Sequence, residues 1–216
     1  MRTTVTKVEA TVIKQLDESA KVKQDLRSMA GEIVGLAEDM YACLKKNGKV
    51  FLCGNGGSAA DSQHLAAELV GKFLQDRRAL AGIALTVNPS VVTAVSNDWS
   101  FDDVFARQVQ ALMSKGDLLI CISASGNSPN VLRAVEEAKK IGARTAALLG
   151  KGGGRTAPVV DRALVVPSSV TPRIQEAHIT IGHIVCDLVE QWFVSGRAPQ
   201  SLLRSRRTPL AVRRRL

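Results

Sequence analysis

The chain has 216 residues, 45% hydrophobic and 23% charged, a make-up that suits a soluble globular protein with a full core and excludes a disordered or fibrous chain. No stretch is apolar for long enough to span a membrane, and Met1 to Ala20 is polar and periodic, unlike a secretion signal. The net charge of +9 is uneven, because seven arginines from Arg197 to Arg215 follow the last acid, Glu190, and leave only +2 for residues 1–196. The arginine-rich end has no aromatic residue to stack on bases, so nucleic acid is set aside as a partner. Cys43, Cys53, Cys121 and Cys186 form no Cys-x-x-Cys pair and read as reduced, mostly buried thiols of a cytoplasmic protein.

Two amphipathic helices open the chain. The first is expected over Thr4–Val22, with Val5, Val8, Val12, Ile13 and Leu16 on one side. The second is expected over Asp25–Lys46, with Leu26, Met29, Ile33, Leu36, Met40 and Leu44 spaced three or four apart. Such a pair either covers a sheet edge or joins subunits. Lys45, Lys46, Asn47 and Gly48 supply its stop signals.

The apolar run Val50–Cys53 then ends in Gly54-Asn55-Gly56-Gly57-Ser58 and passes into a helix over Ala59–Phe73. Strand, glycine turn and helix start form a cradle for an anion such as a sugar phosphate, with Asn55 and Ser58 adding polar groups at its mouth. A second strand is expected over Ile83–Val87, followed by a helix from Ser90 that ends at Asn97-Asp98. Another helix follows over Phe101–Met113, with Phe101, Val104, Phe105, Val109 and Leu112 as its inner face.

Asp117–Ser123 is a continuous apolar strand, as expected of a parallel strand buried on both faces. It runs into Ser123-Ala124-Ser125-Gly126-Asn127-Ser128-Pro129, a cup of hydroxyls before a helix over Asn130–Lys140. The cup has no lysine and suits a phosphomonoester better than a triphosphate. Further strands at Thr145–Leu149 and Ala163–Val166 precede a last helix over Arg173–Phe193. Strands alternating with helices predict an α/β fold: a three-layer α/β/α sandwich around a doubly wound, five-stranded parallel sheet, with the helical pair ahead of it. Residues 1–195 are read as one domain, divided into the helical pair (1–47) and the α/β core (48–195). Residues 196–216 are read as a disordered basic tail.

His64 and Glu68 are four residues apart and share a helix face. Gln175 and His183 lie on the last helix, about 80° apart around its axis. This set could hold a divalent metal such as zinc, or act as a bare acid/base pair with a polar helper. His178 points elsewhere and reads as structural.

The segments Cys53-Gly-Asn-Gly-Gly-Ser-Ala-Ala-Asp-Ser-Gln-His-Leu-Ala-Ala-Glu68, Asn97-Asp98, Ile122-Ser-Ala-Ser-Gly-Asn-Ser128 and Arg173-Ile-Gln-Glu-Ala-His178 with His183 resemble the sugar isomerase (SIS) domain family. Within it they are similar to the bacterial phosphoheptose isomerases, which act on sedoheptulose 7-phosphate. The likeness runs from about residue 5 to 195. It implies a five-stranded parallel sheet, a homotetramer with active sites between subunits, and one zinc ion per subunit in some members. Carried over position by position, Asn55, Gly56, Gly57, Asn97, Asp98, Ser123, Ala124, Ser125 and Ser128 would touch the substrate. His64, Glu68, Gln175 and His183 would be the metal or catalytic set, with Glu68 and Gln175 also reaching the sugar. Glu68 would be the base and His183 the acid. Ala124 departs from the family pattern, which has threonine there. The alternative is a non-catalytic SIS protein that binds the bacterial replication initiator. Such relatives lack the carboxylate and final histidine that Glu68 and His183 supply here.

Overall fold

The computed structural model describes residues 6–197. Five parallel strands form one sheet in the order β2-β1-β3-β4-β5: β1 Val50–Gly54, β2 Gly82–Ala84, β3 Leu118–Ser123, β4 Arg144–Leu149 and β5 Arg162–Val165. Alternate residues of each strand feed two separate cores. Val50, Leu52, Leu118, Ile120, Ile122, Ala146 and Leu148 join the first. Phe51, Cys53, Leu119, Cys121, Ala147 and Leu149 join the second, the period-two signature of a strand covered on both faces.

Helices α2 (Ala30–Lys45), α3 (Gly57–Val70) and α7 (Thr171–Ser195) line the first core. Helices α4 (Pro89–Asp98), α5 (Ala106–Leu112) and α6 (Pro129–Ile141) line the second. The expected three-layer, doubly wound sandwich is what the chain builds. All four cysteines are free and buried within it.

The first helix, α1, spans Lys7–Asp25. Thr6 caps it: its hydroxyl accepts the Glu9 N–H at 3.2 Å while Glu9 accepts the Thr6 N–H at 2.7 Å. The expected start at Thr4, the place of Val5, and the tail reading for residues 198–216 lie outside the described residues. A 3₁₀ turn, Leu26–Met29, links α1 to α2. Among the described residues the apolar side of α1 stays open: Val8, Val12, Ile13 and Leu16 are 75%, 54%, 48% and 64% exposed.

Three sequence expectations are corrected. The second strand closes at Ala84 rather than Val87; Leu85 still donates to the Leu52 carbonyl at 2.9 Å, after which the chain turns away from the sheet edge. The helix expected from Phe101 breaks into a 3₁₀ turn, Phe101–Asp103, and α5, because the Ser100 hydroxyl takes the Asp102 N–H and starts the chain separately there. Val104, Phe105 and Val109 are buried as expected, but Phe101 and Leu112 are exposed.

His178 is fully buried on α7, and its Nε2–H donates to the Leu149 carbonyl at 3.1 Å. Burial pushes its pKa below the ordinary histidine value, and the bond to Leu149 offsets only part of that. The unfolded chain therefore binds this proton first, and stability is lost as pH falls below ~6.5. Thermal midpoints should decline across that window, and less steeply in His178→Gln. An identical decline in both proteins would assign the effect to another group.

Candidate active site at the sheet switch point

The strand order reverses between β1 and β3, so the turns after these two neighbouring strands open side by side at the carboxyl edge, where open α/β sheets take ligands. The first turn leads into α3 at Gly57, the second into α6 at Pro129. Two helices of 14 and 13 residues thus present their N-terminal N–H groups to one mouth, an arrangement that favours an anion.

In the second turn the Ser123 hydroxyl accepts the Gly126 N–H at 3.1 Å and the Ser125 hydroxyl accepts the Asn127 N–H at 3.2 Å. Each oxygen is thereby oriented and keeps its own O–H to donate. Ser128 is the N-cap of α6, yet its side chain makes no capping bond. Ala124 and Ser125 are half-buried beside it, and Ala124 adds no polar atom. In the first turn Asn55 is half-buried and Gly56 and Gly57 are exposed. Ser58, expected at the mouth, is instead buried against Gly54.

The histidines and the carboxylate come together. Where α7 crosses α3 in a close approach, the Leu65 side chain fills the space beside Gly182: a Cβ there would stand 2.6 Å from Leu65 Cδ2. That approach sets His183 Nε2 at 2.8 Å from His64 Nε2, with Glu68 Oε1 3.4 Å from the same His64 nitrogen. All three ligand atoms lie within 4.8 Å of one another. Two imidazole nitrogens at this separation share one proton at most. Two nitrogens and a carboxylate oxygen, partly open to solvent, are also a donor set that fits zinc. Gln175, one turn into α7, lies over the glycine turn: its Nε2 is 2.7 Å from where a Cβ on Gly57 would stand. Half-buried Asp61, one turn before His64 on α3, has its pKa raised by burial, with His64 and His183 pulling it partly back.

Asn97 and Asp98 are not joined to this group. They are exposed at the end of α4, where Asn97 Nδ2 donates to Asp98 Oδ1 at 2.9 Å.

Three supports escaped the sequence reading. Asn130 joins Asn55 across the two turns. The loop after β4 holds the serine cup from behind: the Thr156 hydroxyl and N–H both donate to the Gly126 carbonyl, at 2.8 and 2.9 Å, and the Arg155 N–H donates to Asn127 Oδ1 at 3.0 Å. Gly126 has φ +64°, and a Cβ there would collide with the Gly153 carbonyl oxygen. The run Gly152-Gly153-Gly154 was the one visible signal of so tight a contact.

The third support lies behind Glu68. The Arg77 guanidinium donates to the carbonyls of Glu68, Leu69 and Gly71 at 2.6, 2.9 and 3.0 Å, closing the C-terminal end of α3. Its Nε pairs at 3.2 Å with fully buried Glu190 on α7. Glu190 also accepts the N–H groups of Phe73, Leu74 and Gln75 at 2.8, 2.6 and 2.7 Å. Burial alone would raise the Glu190 pKa, but these N–H groups and Arg77 together hold it below the usual carboxylate value.

The SIS domain family matches residues 16–150. A phosphoheptose isomerase of a Nitratiruptor species is 62% identical over 150 residues, covering 69% of this chain and 80% of that protein. One from Clostridium acetobutylicum is 50% identical over 184 residues, covering 85% and 93%. Among solved structures, a phosphoheptose isomerase from Neisseria gonorrhoeae superposes with a TM-score of 0.82 at 42% identity, covering 86% of this chain and all of that one.

Proposed function

Because the chain belongs to the SIS domain family and, within it, to the phosphoheptose isomerases, we propose that it converts sedoheptulose 7-phosphate to D-glycero-D-manno-heptose 7-phosphate, supplying heptose for the bacterial outer surface. The observation that carries this reading is the His64–Glu68–His183 cluster, built on the helix that begins in the glycine turn and on the helix whose Gln175 covers that turn. The alternative, a non-catalytic binder of the replication initiator, gains no support from these relatives. It also leaves the paired histidines and Glu68 without a task.

In this reading the phosphate sits between the helix starts, taking hydroxyl donors from Ser123, Ser125 and Ser128 and N–H groups from the two turns. Asn55, Gly56 and Gly57 line the sugar's path to the cluster, and Gln175 fixes a sugar hydroxyl. Glu68 removes the proton from C1, the enediolate is held by the surrounding donors, a proton passes from O1 to O2, and His183 returns a proton at C2. His64, Glu68, Gln175 and His183 are also the residues that would hold one zinc ion per subunit. When bound, zinc would supply charge stabilisation for the sugar oxygens.

The working form is a homotetramer with sites shared between subunits. The exposed apolar side of α1 supports this, since a stripe of that kind is normally covered, and so does the separation of Asn97 and Asp98 from the cluster, which suits a contribution to a neighbour's site. Residues 1–195 make up this unit, and 196–216 are an appended basic tail. Among the described residues no helix is long and apolar enough to cross a membrane. The assigned substrate is a dianion that does not cross bilayers unaided, which sets the enzyme in the cytoplasm.

The test is incubation of the purified chain with sedoheptulose 7-phosphate, with product identified by NMR, with and without a chelator. Heptose 7-phosphate should form, and no product under either condition would reject the reading. Ser123→Ala and Ser128→Ala should each raise KM, because a hydroxyl bond to a dianion contributes ~1.5–3 kcal/mol, roughly ten- to hundredfold. An unchanged KM in both would put the phosphate elsewhere.

A further inference from the structure

Asn130 is the second residue of α6 and is 2% exposed, too deep to meet a ligand itself. Its side chain nevertheless reaches across the switch point to the other ligand turn. Asn55 Nδ2 donates to Asn130 Oδ1 at 2.9 Å, and Asn130 Nδ2 donates to Asn55 Oδ1 at 2.9 Å. The pair is reciprocal, so the two amides hold each other in one plane, and turning one of them over alone would set donor against donor and acceptor against acceptor. An isolated asparagine has no such preference, since its terminal torsion is broad. The bonds also lie beyond the end of the β1–β3 ladder, whose last register pair is Gly54 with Ile122. They tie the start of α3 to the start of α6 where backbone pairing no longer does.

We propose that Asn130 is a positioning residue of the isomerase, acting through Asn55: it holds the Asn55 amide in one plane and one place, so that the remaining N–H and lone pair of Asn55 are presented to the sugar before it arrives. This rests on the function proposed above. An amide already locked in its binding orientation loses no torsional freedom when the substrate binds, and that gain falls on KM rather than on the proton-transfer step.

The test is a double-mutant cycle on sedoheptulose 7-phosphate turnover: wild type, Asn55→Ala, Asn130→Ala and the double variant, each with its thermal midpoint. Asn130→Ala should raise KM roughly tenfold, the value of a hydrogen bond of ordinary strength, with kcat within about threefold of wild type. In the Asn55→Ala background the same change should cost nothing further, because its only route to the substrate is gone. A residue that merely stabilised the fold would lower the midpoint and leave the KM of the folded enzyme unchanged. If Asn130→Ala does not fold, Asn130→Asp has the same size and sets a carboxylate oxygen against Asn55 Oδ1, and it serves in the same cycle. A wild-type KM in the Asn130 variant, or KM losses that multiply in the double variant, would overturn the proposal while leaving the isomerase reading intact. An inactive wild type would overturn both.

Discussion

Glu68→Gln should lower kcat by ~10²–10⁴-fold while the protein stays folded and still binds sugar phosphate. Glutamine keeps the length and hydrogen-bonding reach of the side chain but cannot take a proton from carbon. Glu68 is half-buried on α3, 3.4 Å from His64 Nε2, and its own carbonyl is fixed by Arg77 at 2.6 Å, so the helix that carries it should not move on this change. His183→Gln should cost a similar amount, because the proton has then no group to carry it to C2. The two roles open to Glu68 separate cleanly. If it serves only to hold metal, added zinc should restore part of the lost rate. If it is the base, saturating zinc should restore nothing. Near wild-type turnover by Glu68→Gln without added metal would remove Glu68 from the chemistry.

Glu190→Ala should destabilise the fold by ~3–5 kcal/mol, the range seen when one partner of a buried ion pair is deleted. Fully buried Glu190 serves three backbone N–H groups and the Arg77 guanidinium, and the substitution strands the three N–H groups and leaves Arg77 without its counter-ion. For a chain of this size each kcal/mol lowers the melting temperature by roughly 2–4 °C. Glu190→Gln retains one acceptor oxygen and should lose less. Urea unfolding measures both, and a cost for Glu190→Ala below about 1 kcal/mol would mean that solvent replaces these bonds, contrary to the burial described. The same clamp closes α3 just beyond Glu68 and binds it to α7. Variants that survive should therefore also show a loosened Glu68–His183 geometry and a lower kcat.

The strands at Val50 and Leu118 were legible because they are continuous apolar runs, the pattern of parallel strands buried on both faces, and the one expected from Thr145 because of its apolar stretch Ala146 to Leu149. Their glycine and serine turns were legible because strand-end turns next to helix starts have a fixed use. His64 and Glu68 were visible as an i, i+4 pair, but their meeting with His183, 119 residues away in sequence, needed the close crossing at Gly182. The supports were not legible for the same reason. Asn130 acts over 75 residues, Glu190 over more than 100 and Thr156 over 30, and no local periodicity reports such partners. The strand expected to Val87 turns away after Leu85, and the helix expected from Phe101 is interrupted by the bond to the Ser100 hydroxyl; Val87 and Phe101, apolar in sequence, are left exposed. Periodicity says that a face is apolar but not what covers it. The side of α1 carrying Val8 and Leu16 is the same case, and an assembly of subunits would cover it.

Proton exchange at C1 tests the role of Glu68 most directly. Sedoheptulose 7-phosphate would be incubated in D₂O with wild type and with Glu68→Gln, both saturated with zinc, and the C1 signal followed by NMR. The wild type should place deuterium in the sugar as heptose 7-phosphate forms, and Glu68→Gln should bind the sugar yet exchange nothing at any zinc concentration. Exchange by Glu68→Gln at the wild-type rate would contradict the assignment of Glu68 as the base.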